Sequence, residues 1–118
     1  MSLQTPGFAP VTVRVAEPGP LIAMKLQSLM DRGAAKEASD LLDIVRLTLD
    51  PAAGIAARQQ LSNADLQLRA DCLLHVKLWL VTHARRSLSR VRSIPEGHAM
   101  ALDDIELTAE LLVASVHP

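Results

Sequence analysis

The sequence predicts a mainly α-helical fold: a helical bundle of four to five helices, one of them long, preceded by a single N-terminal β-strand. Three observations point there. Apolar residues fill 49% of the 118 positions and aromatics only 2%, Phe8 and Trp79, so the core is built from Leu, Ile, Val, Ala and Met, which favours helices over a β-sandwich. Beyond Pro20, apolar residues recur at three- and four-residue spacing, the mark of amphipathic helices. Val11-Thr12-Val13-Arg14-Val15 alternates as a half-buried strand does, and no second strand follows it. The length suits one domain over 1–118, with 1–19 as lead-in and strand, 20–49 as a helical hairpin and 50–118 as the remainder of the bundle.

Pro6, Gly7 and Pro10 make the first ten residues a loose lead-in. A lone strand leaves backbone donors and acceptors without partners. Val11–Val15 is therefore expected to pair with a second copy of the chain, to lie along the helices, or to complete a sheet belonging to a longer parent protein. Glu17-Pro18-Gly19-Pro20 is a turn, with Pro20 suited to the first helical position. The first helix is expected over 20–31 with Gly33 as its C-terminal cap, and the second over 35–49 with a stripe of Leu41, Ile44, Val45 and Thr48. Asp50 as cap and Pro51 as first residue open a short third helix to Leu61, weakened by Gly54. Ser62 caps the long helix, 63–93, with a kink expected over 83–86. Its stripe runs Leu66, Ala70, Leu73, Leu80, Ala84, Leu88 and Val91, widened by Cys72, Val76 and Trp79. Pro95-Glu96-Gly97 ends it. Asp103 as cap and Glu106 at the third position open the last helix, which runs to Val116 with Ile105, Leu107, Leu111 and Leu112 inward.

Several function classes find no footing. A net charge of −1 gives no global field to recruit nucleic acid or a membrane. The single cysteine, Cys72, cannot form an internal disulfide, which fits a reducing, cytoplasmic setting, and its apolar neighbours make it a small core hydrophobe. The first residues lack a basic segment followed by an apolar one, so no signal peptide is expected. The longest apolar run, Leu73 to Val81, is interrupted by His75 and Lys77, so no membrane span is expected. No Gly-rich phosphate loop and no Cys/His cluster with metal-ligand spacing occurs, and His75, His83, His98 and His117 are scattered.

Two constellations carry weak signals. Arg69 and His75, six positions apart, resemble the short signature of HEPN-type helical ribonucleases, where such a pair attends a scissile phosphate. Arg92 and His98 repeat the separation, which shows how readily it arises by chance; a surface arginine and a helix-facing histidine is the competing interpretation. Between Asp71 and Glu96 there is no acid, while Lys77, Arg85, Arg86, Arg90 and Arg92 all occur. Such a stripe suits phosphates, but no aromatic interleaves it to stack bases, so nucleic acid is a weak expectation against that of a solvated face.

The sharpest feature is Lys25. Leu21, Ile22 and Leu29 share its side of the first helix, so a charge stands in an apolar stripe. Such a charge snorkels, pairs or is functional, and Glu37 and Asp40 on the next helix are the acids able to pair with it.

Lys25, Arg32, Lys36, Glu37 and Asp40, with VTVRVAEPGPLIAMKL ahead of the last four, resemble the AbiEii/AbiGii-type nucleotidyltransferases, toxin components of type IV toxin–antitoxin systems in the DNA polymerase β-like superfamily. The resemblance spans about Val11 to Leu49. It implies that Lys25 lies near nucleotide phosphates, that Arg32 and Lys36 occupy the basic nucleotide-binding positions, and that Asp40 joins Lys25 in the catalytic motif as the aspartate that holds it together. Glu37 stands where the family usually has aspartate, and Ser39 where it usually has an aromatic residue. The glycine-serine helix and the metal-binding acids of the family have no counterpart before Val11. The resemblance therefore implies a C-terminal helical portion without its catalytic half, inactive alone, with no cofactor of its own, Mg²⁺ and nucleoside triphosphate belonging to a full-length relative. Its partner would be the missing catalytic domain, or a second copy, through Val11–Val15. A helical protein-interaction or dimerisation module is the alternative, and a helical ribonuclease using Arg69 and His75 a third.

Overall fold

The computed structural model describes residues 17–29 and 33–117, apart from the side chain of Ala34. The expected strand Val11–Val15 and Arg32 lie outside the described residues. Six α-helices are present among those described: α1 Pro18–Ser28, α2 Ala34–Leu49, α3 Pro51–Ser62, α4 Leu66–Val76, α5 Ala84–Arg92 and α6 Leu102–Val116. Lys77–Thr82, between α4 and α5, is a π-helical turn, and Pro95–Gly97 is a single 3₁₀ turn. The protein is thus mainly helical, with one more helix than the upper expectation because the long helix is divided.

Each helix boundary has a local cause. α1 begins with prolines in its first turn, where a missing N–H costs nothing, and the Gly19 N–H donates to Gln60 Oε1 of α3 at 2.8 Å. Gly33 is not the C-terminal cap of α1. Its φ of −66° is extended rather than left-handed, and it serves as the N-cap of α2, while Leu29 caps α1. Asp50 caps α3 as expected, its carboxylate accepting from the N–H groups of Ala52 and Ala53 at 3.1 and 2.8 Å. Gly54, which weakens α3 as an isolated helix, has a packing reason: a Cβ there would collide with the Thr48 carbonyl where α3 turns back on α2.

The long helix departs from expectation in two ways. Its cap is Asp65, accepting from the Leu68 N–H at 2.8 Å, and not Ser62, which ends α3 and donates its hydroxyl to the Ser115 carbonyl at 3.0 Å. It is also split within 77–83. The His83 N–H reaches back five residues to the Leu78 carbonyl at 3.0 Å, the π pattern, so Trp79 loses the donor an α-helix would give its carbonyl. The buried Ser87 hydroxyl takes that place, donating to the Trp79 carbonyl at 2.6 Å. The break opens at Lys77, ahead of the expected 83–86, and closes at a His83 with φ −110° and ψ 34°. The buried stripe joins the three residues expected to widen it, Cys72, Val76 and Trp79, to Leu80 and Val91 of the expected stripe. Leu66, the first residue of α4, is 71% exposed, and Ala70 is exposed with it.

α6 starts from Ala101 rather than Asp103, and Asp104 rather than Glu106 is the third-position acid, accepting the Ala101 N–H at 3.0 Å. Ile105 and Leu112 are buried as expected and Leu111 half-buried, whereas Leu107 faces outward. One core unites the elements: Ile22 and Leu26 of α1, Leu41, Ile44 and Val45 of α2, Leu61 of α3, Val76 and Leu80 of the α4 segment, and Leu112 and Val116 of α6. α1 packs on α2, α3 and α4, and α6 closes the other side against α3, α4 and the π turn. No helix among the described residues is long and apolar enough to cross a membrane.

Candidate functional site

The α1–α2 seam gathers the residues that the sequence singles out. Lys25 stands at the edge of the buried α1 stripe made by Ile22, Leu26 and Leu29. Asp40 and Asp43, three residues apart on α2, share a helix face beside Leu41 and Ile44. The Lys25 ammonium reaches both, with Nζ 3.2 Å from Asp40 Oδ1 and 3.0 Å from Asp43 Oδ2. The three side chains are 17%, 2% and 42% exposed in the order Lys25, Asp40, Asp43. Lys36, one turn before Asp40, places Nζ 3.7 Å from the same Oδ1. Asp40 Oδ2 is buried with no hydrogen-bond partner among the described residues. Burial draws the Lys25 ammonium toward neutrality, but hydrogen bonds to Asp43 and Asp40 outweigh it and hold the pKa above its ordinary value. Lys25 also borders an open hollow of about 540 Å³, shared with Asp43, Arg46, Leu47 and Asp50.

Of the two acids expected to pair with Lys25, only Asp40 does so. Glu37 is buried and faces α5, its carboxylate 3.5 Å from Arg86 Nη1 and 3.9 Å from Arg90 Nε. The Arg86 guanidinium also stands 5.6 Å from the centroid of the Trp79 ring. Asp43 was legible as a partner only through its three-residue offset from Asp40. The acid-free basic stretch is largely engaged within the protein: Arg86 and Arg90 on Glu37, and Arg92 Nε on the Met100 carbonyl at 2.7 Å. What remains for a polyanion is a fraction of the charge the sequence suggested.

Arg69 and His75 are not brought together. Six positions on an α-helix leave side chains about 120° apart around the axis. Arg69 Nη1 donates back to the Ser62 carbonyl at 3.1 Å, while His75 lines a hollow between α1 and α4 beside Asp71 and Cys72. Burial pushes the Cys72 thiol up to about 11, which leaves it protonated and unreactive at neutral pH.

No group of three or more His, Cys, Asp or Glu among the described residues is placed to hold a metal ion. Asp40 and Asp43 are taken up by ammonium groups, and this donor set does not fit the Mg²⁺ centre that the resemblance implies for a full-length relative. No protein-family model matches the chain, and comparison with curated proteins and with solved structures found no match.

Proposed function

We propose that this chain is the helical portion of a nucleotidyltransferase-like protein of toxin–antitoxin type, whose α1–α2 hairpin turns Lys25 and Lys36 toward nucleotide phosphates, with Arg32 a further basic position that the resemblance implies. The observation that carries the reading is the two-carboxylate grip on Lys25. An ammonium has three N–H donors. Asp40 and Asp43 occupy two, fixing the head group at the border of a solvent-open hollow and leaving one donor for a phosphate oxygen. The grip also removes rotamer freedom that a free lysine would lose on binding. In this reading Asp40 is the positioning residue and Lys25 the phosphate contact. The chain alone binds and does not transfer, because its Lys25 seam has no acids spare for a divalent metal.

The full chain titrated with ATP, with and without Mg²⁺, tests this by NMR of the lysine side chains. Lys25 and Lys36 signals are expected to shift together, Lys25→Met to weaken binding in a chain that remains folded, and labelled nucleotide to stay untransferred. Binding indifferent to Lys25→Met, or measurable transfer, would overturn the reading.

A further inference from the structure

An open groove of about 970 Å³ runs between the π turn and α6. Its floor is apolar, and two of its walls are large side chains left in water, Val81 at 56% and Leu107 at 45% exposure. α6 is apolar on two sides. Ile105, Ala109, Leu112 and Val116 face the core, while Leu107, Val113 and Ala114 turn a second, weaker stripe to the groove. Opposite them, the wide turn at Lys77–Thr82 brings Leu80 and Val81 to the groove wall.

Charge says what kind of occupant fits. Asp103, Glu106 and Glu110 recur at the three- and four-residue steps of one helix edge and all line the groove. They form no side-chain hydrogen bond or ion pair among the described residues. Against these three carboxylates the lining offers one ammonium, Lys77, and one imidazole, His117, at the far end of α6, so acids outnumber the fixed cations. Thr82, Ala84 and Glu106 meet in a neighbouring hollow that Arg85 and Arg86 also line, Arg86 being turned to Glu37, so α6 begins beside the end of the π turn and Lys77 lies toward the other end. The groove's own lining is therefore acidic along the Asp103–Glu110 edge of α6 and apolar along its length.

We propose that this groove binds a basic amphipathic helix of a partner protein. Its leucine-like side chains would cover Val81 and Leu107, and its lysines or arginines would meet Asp103, Glu106 and Glu110. α6 has 15 residues, so a partner helix of about four turns spans it. A second copy of this chain is a poorer fit, because the exposed arginines of α5 sit on a helix whose apolar residues are already in the core or half-buried.

The probe is a synthetic amphipathic peptide of about four helical turns, with leucines on one face and lysines on the flanks. A counterpart carries glutamate in place of every lysine. Both are titrated against the full-length chain by fluorescence anisotropy and by amide NMR. The basic peptide is expected to shift α6 and π-turn amides, to weaken with added salt, and to bind at least tenfold more tightly than the acidic one. The paired change Glu106→Lys and Glu110→Lys is expected to reverse that preference. Leu107→Asp is expected to weaken the basic peptide a further tenfold; these positions are exposed, and circular dichroism confirms that the helices remain. Three results overturn the proposal: equal binding of both peptides, shifts confined to another face, or a chain that dimerises through this groove until Leu107→Asp dissolves the dimer.

Discussion

The Lys25 ammonium lies 3.0 Å from the Asp43 carboxylate and 3.2 Å from that of Asp40, so one lysine on α1 fastens two acids on α2. The two contacts are not equivalent. Asp43 is half in water, where an ion pair contributes little. Asp40 is buried, and a bare carboxylate there would carry an uncompensated desolvation cost. Asp40 thus gives Lys25 a structural role as well, whatever the lysine meets on its open side.

Lys25→Met is accordingly expected to destabilise the protein by about 2–3 kcal/mol, below the loss for a fully buried pair, because Lys36 remains near Asp40. Asp43→Asn is expected to cost only about 0.5 kcal/mol. Urea denaturation of both variants checks the contrast, and equal losses would contradict this division of roles. Adding Asp40→Leu to Lys25→Met removes the stranded charge and is expected to restore part of the lost stability.

The same pair sets an alkaline limit. The folded pKa of Lys25 lies above its ordinary value of 10.5, so the unfolded chain loses this proton first as pH rises. The stabilisation is complete below 10.5 and is lost as pH climbs through the folded value. Melting temperatures measured from neutral pH upward should therefore fall more steeply above that point in the native protein than in Lys25→Met. Parallel profiles would show that Lys25 holds no preferential proton in the folded state.

How much of this was legible in the sequence depends on how local each cause is. The Asp50-Pro51 start of α3 and the Leu41, Ile44, Val45, Thr48 stripe of α2 were readable, because cap and period are contained in a few residues. The Lys25–Asp40 contact was readable because a charge in an apolar stripe needs a partner on the neighbouring helix. The split after Val76 was anticipated only as a kink near His83, since a π turn depends on how Trp79 packs and on Ser87 eight residues later. The buried face of α4 was misjudged for a related reason. Leucines occupy both of its sides, and neighbouring helices, which periodicity does not contain, selected Cys72 and Val76 over Leu66 and Ala70. The groove beside α6 left no mark beyond the acid spacing, because it lies between segments twenty or more residues apart.

Gly54 offers a test of the α2–α3 corner. An added methyl would press on the Thr48 carbonyl, which is backbone and cannot swing aside. Intrinsic helix propensity alone predicts that Gly54→Ala stabilises α3 by about 1 kcal/mol. Overpacking predicts the opposite sign, a loss of about 1–3 kcal/mol. Thermal denaturation decides between them, and a stabilised variant would mean that the corner opens without cost.

The Ser87 hydroxyl is expected to hold the π turn together. Ser87→Ala leaves the Trp79 carbonyl without the donor it has at 2.6 Å, a loss of about 1–3 kcal/mol. Trp79 is the only tryptophan in the chain, so its fluorescence reports on this turn directly. A changed emission maximum in the folded variant is expected together with the loss of stability. An unchanged spectrum and midpoint would assign the turn to Trp79 packing alone.

Cys72 provides a readout that joins these variants. The side chain is buried and its pKa stands at about 11, so at pH 8 about one thiol in a thousand is thiolate even before access is considered. Iodoacetamide should then reach it only through openings that separate α4 from its neighbours. The labelling rate is expected to rise with urea along the unfolding curve and to be faster in Lys25→Met, by about tenfold for each 1.4 kcal/mol lost. Mass spectrometry of timed samples measures both. Rapid labelling of the native protein in the absence of urea, or a rate indifferent to Lys25→Met, would place Cys72 on a locally mobile surface instead of in the cooperative core.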